Sequence, residues 1–207
     1  MIDLEDYKPR AVDEFIGTKQ KHWFKLLAKK AQKVRRNGKG KMKVLITGDC
    51  GIGKTELAQA TAEILVDEDH RAVAYEEVSA ANVQIDQVRE LRSNLHYYPQ
   101  GGFRAIIINE ADLLPEKCEN LMLDVMDELP DCHALLMTSN RAKQFSKRFA
   151  DRCWRVSIEP PTEDDMKEWL QINMDLPQRQ IDQLAKLKGV RSMFNQAETC
   201  LMAQQIR

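Results

Sequence analysis

The octapeptide Gly48-Asp49-Cys50-Gly51-Ile52-Gly53-Lys54-Thr55 fits the spacing G-x-x-x-x-G-K-[ST], a pattern suited to holding a polyphosphate. Glycines let successive backbone N–H groups turn inward around phosphate oxygens. Lys54 places a point charge at the terminal phosphates, and Thr55 offers a hydroxyl to Mg²⁺. A helix opening at this point adds the favourable end of its dipole. Gly48, Gly51, Ile52, Gly53, Lys54, Thr55 and Glu56 are therefore the predicted phosphate-binding residues. A glycine-rich turn without function is the bland alternative. The flanks argue against it, because 44–47 (VLIT) reads as a buried strand and 54–66 as a helix.

A second constellation follows in Ile106-Ile107-Ile108-Asn109-Glu110-Ala111-Asp112. An apolar strand ending in polar side chains delivers them to the carboxyl edge of a sheet, beside such a loop. One carboxylate there can hold Mg²⁺ through water, and a second can take a proton from an attacking water. Asn109 occupies the first position. Its amide oxygen accepts a hydrogen bond but carries no charge, so the metal site predicted at Thr55 and Asn109 is weakened, and an aspartate at 109 is expected to raise turnover. Glu110 keeps the general-base capacity.

These groups need a scaffold, and the hydropathy pattern supplies one. A helix is predicted over 18–36 and ends at Asn37-Gly38-Lys39-Gly40. Further strands are predicted at 72–78, 105–108, 134–139 and 154–158, with helices at 82–96 and 116–128 between them. Strands alternating with helices imply right-handed crossovers and a mainly parallel sheet. The apolar runs lack a period of two, which suits strands covered on both faces. Pro160-Pro161 breaks the pattern, Thr162 is placed as a helix N-cap with Asp165 as its partner, and the remainder reads as three helices divided near 176–177 and Gly189. The expected organisation is an α/β domain over 1–160 and a small helical domain over 161–207.

The composition is compatible with such a core: 207 residues, 43% hydrophobic and 30% charged. No apolar run approaches the roughly 20 residues of a membrane helix, and the first ten residues lack the features of a signal peptide. A soluble, cytoplasmic protein without membrane partners is expected. Its five cysteines show no CxxC pair, which argues for free thiols rather than zinc or a disulfide framework. The formal net charge of -1 excludes binding of nucleic acid through bulk charge. Local patches leave DNA contact open: eleven basic residues and no acid lie between Lys19 and Lys43, and a second stretch runs from Arg141 to Arg155. A solvated helix face explains the first patch equally well.

Several blocks together resemble the AAA+ ATPases, and among them the clamp-loader subunits of DNA replication. They are Tyr7-Lys8-Pro9-Arg10 with Asp13-Glu14-Phe15-Ile16-Gly17, Val78-Ser79-Ala80 with Ile85-Asp86-Gln87-Val88-Arg89, and the helix ending Met126-Asp127-Glu128-Leu129-Pro130. Thr138-Ser139-Asn140, Asp151-Arg152-Cys153 and Gly189-Val190-Arg191 complete the set. The resemblance implies a P-loop NTPase fold, namely a parallel five-stranded sheet with helices on both faces plus a small three-helix lid. It implies ATP and Mg²⁺ as ligands, with Pro9, Ile16 and Gly17 bordering the adenine. It makes Asn140 the sensor 1 residue and Arg191 the sensor 2 residue, and Arg152 an arginine finger reaching a neighbouring subunit's nucleotide. The helix carrying Arg89 and Arg92 would face DNA.

Partners implied are further AAA+ subunits in a ring or filament, DNA, and a sliding clamp, helicase or transposase. The family's helical collar domain does not follow the lid here, so stable pentamers are not expected from this chain. Helicase loaders and transposition regulators share the short plan. Two other classes compete: an interaction module that binds nucleotide with negligible hydrolysis, and a small-molecule kinase, which would leave Asn140, Arg152 and Arg191 without a use.

Overall fold

The computed structural model describes residues 7–66, 74–96, 103–141 and 145–205. Five strands form one parallel sheet: β1 (Met42–Thr47), β2 (Tyr75–Ser79), β3 (Arg104–Asn109), β4 (His133–Ser139) and β5 (Trp154–Ser157), in the order β2-β3-β4-β1-β5. Successive residues of β1 point to opposite faces. Val44 and Ile46 join an apolar cluster with Phe24, Leu27, Leu57 and Leu65, beneath α1 (Thr18–Asn37) and α2 (Lys54–Leu65). Leu45 joins the opposite cluster, with Leu91, Met122 and Met126 from α3 (Ile85–Asn94) and α4 (Glu116–Glu128). Both faces are thus covered, which is why the strands carry apolar residues at consecutive positions.

The elements expected at 116–128 and 134–139 form with at most a one-residue change at an end. The helix expected over 82–96 is shorter. Ala80–Asn82 makes a single 3₁₀ turn, and Gln84, in extended backbone, caps α3 in a reciprocal arrangement with Gln87. The second strand runs one residue beyond its expected end, and positions 72 and 73 of that expectation lie outside the described residues. A one-turn helix, α5 (Lys147–Ala150), was not expected; the Ser146 hydroxyl accepts from the Phe149 N–H, and Phe149 is fully buried.

Beyond β5 come α6 (Glu163–Asn173), α7 (Gln178–Leu184) and α8 (Val190–Gln205), around Met166, Leu170, Ile181, Leu184, Met193 and Ala197. Asp165 closes the capping box of α6 with Thr162. It also accepts from the Thr18 N–H (3.2 Å) and hydroxyl (2.9 Å) at the start of α1. One carboxylate therefore caps two helices. It also offsets the absence of any acid in the first turn of the strongly basic α1.

Candidate functional site

The carboxyl ends of β1, β3 and β4 meet at one edge of the sheet, and a cavity of about 300 Å³ opens there. Gly48 makes the turn out of β1. A Cβ at this position would lie 2.5 Å from the Ile158 carbonyl oxygen, so only glycine passes. Lys54 opens α2 and is 7% exposed; its ammonium donates to the carbonyls of Gly48 (3.0 Å) and Asp49. Burial pushes its pKa down, and Cys50, Asp112 and Asp49 oppose that shift, while the nearby Arg191 cation reinforces it.

Beside the lysine, Thr55 donates its hydroxyl to Asn109 Oδ1 at 3.0 Å, as does Thr138 from β4. The next residue, Glu110, lines the cavity in left-handed backbone (φ 55°), with its N–H on the Thr138 hydroxyl at 3.2 Å. A non-glycine residue in that region carries strain of order 1–3 kcal/mol, which is typical of functional positions. Asn140 also lines the cavity, its N–H donated to the buried Asp112 carboxylate at 3.1 Å. The last wall comes from α8. The Arg191 N–H donates to the Gly51 carbonyl at 3.1 Å, and a Cβ on Gly189 would stand 3.3 Å from that oxygen, so the helix starts in direct contact with the loop.

The structure therefore brings Pro9, Ile16, Gly51, Ile52, Gly53, Lys54, Thr55, Glu56, Glu110, Asn140 and Arg191 to one cavity. Gly48 lies beneath the loop, and Gly17 is set back as the N-cap of α1. Asn109 touches the site through Thr55. The sequence reading missed Phe194, Asn195 and Glu198, which follow Arg191 along one face of α8 and line the same cavity. Their spacing of three, four and seven residues was the available signal. It also missed Thr138.

Three of the arginines stand elsewhere. Arg152 forms a bidentate pair with Asp127 on α4 (2.8 Å for both bonds) and donates to the Arg148 carbonyl at 2.8 Å. That guanidinium holds the Asp127 carboxyl below its usual range. Asp151, its sequence neighbour, is not the partner shown. Arg92 spans Asp124 (3.0 Å) and Glu128, and Arg89 donates to Asp86 at 2.8 Å, so both of the predicted DNA contacts are engaged by acids. Parts of the basic stretch also serve the fold: Lys41 and Lys43 donate to the Leu129 and Met126 carbonyls near the end of α4, and Lys30 lies over the Trp154 ring at 4.6 Å.

A parallel sheet of this strand order, with a phosphate-type loop between its second-from-edge strand and α2 and a helical unit after β5, is the AAA+ P-loop NTPase fold. The comparisons with known proteins agree. Residues 68–162 match the family model of the DNA polymerase III delta subunit, a segment that begins after the phosphate loop. Among solved structures, the Thermotoga maritima RuvB Holliday junction branch migration motor superposes with a TM-score of 0.73 at 19% identity, over 93% of this chain and 64% of that one. Domain III of the Thermotoga maritima replication initiation protein DnaA gives 0.70 at 19% identity, over 95% and 89%. A DNA polymerase III gamma subunit-related protein from Thermotoga maritima gives 0.60 at 18% identity, over 83% and 57%. This chain thus spans less than two thirds of the RuvB and gamma-related chains. A search of curated proteins gives no significant match. Among the described residues no helix is long and apolar enough to cross a membrane, and no cluster of three or more histidine, cysteine or acidic residues is placed to hold a metal ion.

Proposed function

We propose that this chain binds ATP with Mg²⁺ in the cavity and hydrolyses it, as a DNA-associated AAA+ subunit of clamp-loader-like type. The observation that carries the reading is the pair of cations facing one cavity. Lys54, desolvated and hydrogen-bonded to loop carbonyls, lies close enough to Arg191 to be disfavoured by it, at the N-terminus of α2. A bound polyphosphate relieves both charges at once. The donors also fit Mg²⁺, which commonly takes one or two protein ligands and completes its shell with phosphate oxygens and water. Thr55 and Asn109 would hold it, and it would neutralise charge on the phosphates.

In this reading Glu110 accepts the proton of the attacking water, Asn140 orients that water, and Arg191 with Lys54 matches the phosphate charge. Pro9 and Ile16 border the base. Arg152, turned toward Asp127, serves a neighbouring subunit, whose nucleotide would have to displace that carboxylate. Further subunits, DNA, and a clamp, helicase or transposase are the partners proposed, in the cytoplasm. For DNA, the exposed Lys29 and Arg36 of α1 are candidates beside Arg89 and Arg92, whose guanidiniums would have to leave their acidic partners.

The test is ATP binding by Lys54→Ala. Loss of a charge-assisted hydrogen bond, about 1.5–3 kcal/mol, corresponds to about 10–150-fold weaker binding. Wild-type affinity in the variant would remove the reading. The uncharged Asn109 favours a second reading, a nucleotide-dependent interaction module with negligible turnover. Steady-state ATPase with and without primed DNA separates the two.

A further inference from the structure

Asn109 is held from both ends of its amide. Its oxygen accepts from the Thr55 and Thr138 hydroxyls, each at 3.0 Å, while its nitrogen donates to Glu77 Oε1 at 2.5 Å. Glu77 lies on β2 and is itself fixed. Gln59 of α2 donates to both of its oxygens (2.9 and 3.2 Å), and the Tyr75 hydroxyl donates to Oε2 at 2.8 Å. The three partners leave the amide one orientation, oxygen toward Thr55. A carboxylate accepting from an amide N–H shifts electron density onto the amide oxygen, as carboxylates behind metal ligands raise the basicity of the group in front of them.

We infer that Glu77 and Asn109 act as a carboxylate–amide relay that supplies, at the Thr55 hydroxyl, the negative charge that Asn109 alone lacks. Glu77 is a positioning residue, acting through Asn109. The inference rests on the proposal that this cavity takes Mg²⁺–ATP. It also explains the amide. An aspartate at 109 has no N–H to give the Glu77 carboxylate, so it would break the bond that joins the two residues and set acceptor against acceptor. On this inference Asn109→Asp brings a gain only where the Glu77 carboxylate has been removed.

The experiment measures binding of a fluorescent ATP analogue across a Mg²⁺ titration and, separately, with the metal chelated. Glu77→Gln keeps the volume and removes the charge. It should raise the Mg²⁺ concentration for half-maximal enhancement by about 10–100-fold, the usual cost of losing a group behind a metal ligand, and leave metal-free binding within about twofold. Asn109→Asp should restore the Mg²⁺ requirement in the Glu77→Gln background, yet give no improvement when Glu77 is intact. An unchanged Mg²⁺ midpoint in Glu77→Gln overturns the inference alone. So does a parallel loss of metal-free binding that Asn109→Asp does not rescue, since that is the signature of a merely structural residue. A wild-type protein that binds the analogue under neither condition overturns the ATP reading and this inference with it.

Discussion

Cys50 and Cys153 show how differently two thiols can be set by their surroundings. Cys50 is exposed, on the loop that lines the cavity, whereas burial pushes the Cys153 thiol up to about 11. At pH 7 about one Cys153 side chain in ten thousand is thiolate, the form that reacts. Iodoacetamide should therefore modify Cys50 first, ATP should slow that reaction, and Cys153 should stay unmodified in the folded protein. Peptide mass mapping reads all three outcomes; labelling of Cys153 at the Cys50 rate would contradict the packing around it. The phosphate loop was legible in sequence because its chemistry is local, with every group within eight consecutive positions. Glu77 was not, because its link to Asn109 exists only once β2 and β3 pair with Ser79 beside Asn109. Asp127 was equally hidden: its link to Arg152, 25 residues further on and beyond β4 and α5, exists only in the folded chain.

At the scale of elements, helix starts were legible where the cap lies in the same segment, as for Thr162 and Asp165 at α6. The second duty of Asp165, at the start of α1, was not, since it depends on how the C-terminal helices dock. Burial opposes ionisation of this carboxyl, but its bonds from Thr162 and Thr18 outweigh burial and hold its pKa below the ordinary 3.8. A group depressed on folding contributes stability that is present above its unfolded value and lost as pH falls through the folded one. Asp165→Ala leaves the Thr162 hydroxyl on the N–H of residue 165 but removes the carboxylate's bonds to Thr162 and Thr18, a loss on the order of 2 kcal/mol, so the melting temperature should drop on the order of 5 °C at neutral pH. The gap between variant and wild type should narrow only below pH 3.8. Calorimetry across pH checks both; an undiminished gap in strong acid would assign the loss to packing instead.

For the whole molecule, the alternation of strands and helices was enough to reach the fold class, while strand order and the partners of surface charges required the assembled sheet. Arg152 belongs to this scale. It lines no part of its own cavity, and as an arginine finger in trans it would contribute about 10³–10⁵ in rate to a neighbour. Arg152→Ala and Lys54→Ala each damage a different half of one composite site. Mixed, they should recover ATPase activity at those interfaces that combine two intact halves. If the mixture shows no more than the sum of its parts while wild type is active, Arg152 is a structural partner of Asp127.

The strand order also bears on how the chain is made. β1 leaves the ribosome first of the five strands, yet both of its neighbours, β4 and β5, come after β2 and β3. At about 5–20 residues per second, the strand that leads into the phosphate loop waits roughly 5–20 s for its first pairing partner, with both edges unpaired. During translation the cavity at the sheet edge is among the last parts that can form, because the strand leading into it is the earliest made and the latest enclosed. Until β4 and then β5 arrive, α1 and α2 are the elements already made that can cover Val44 and Ile46, while Leu45, on the other face, waits for α3 and α4.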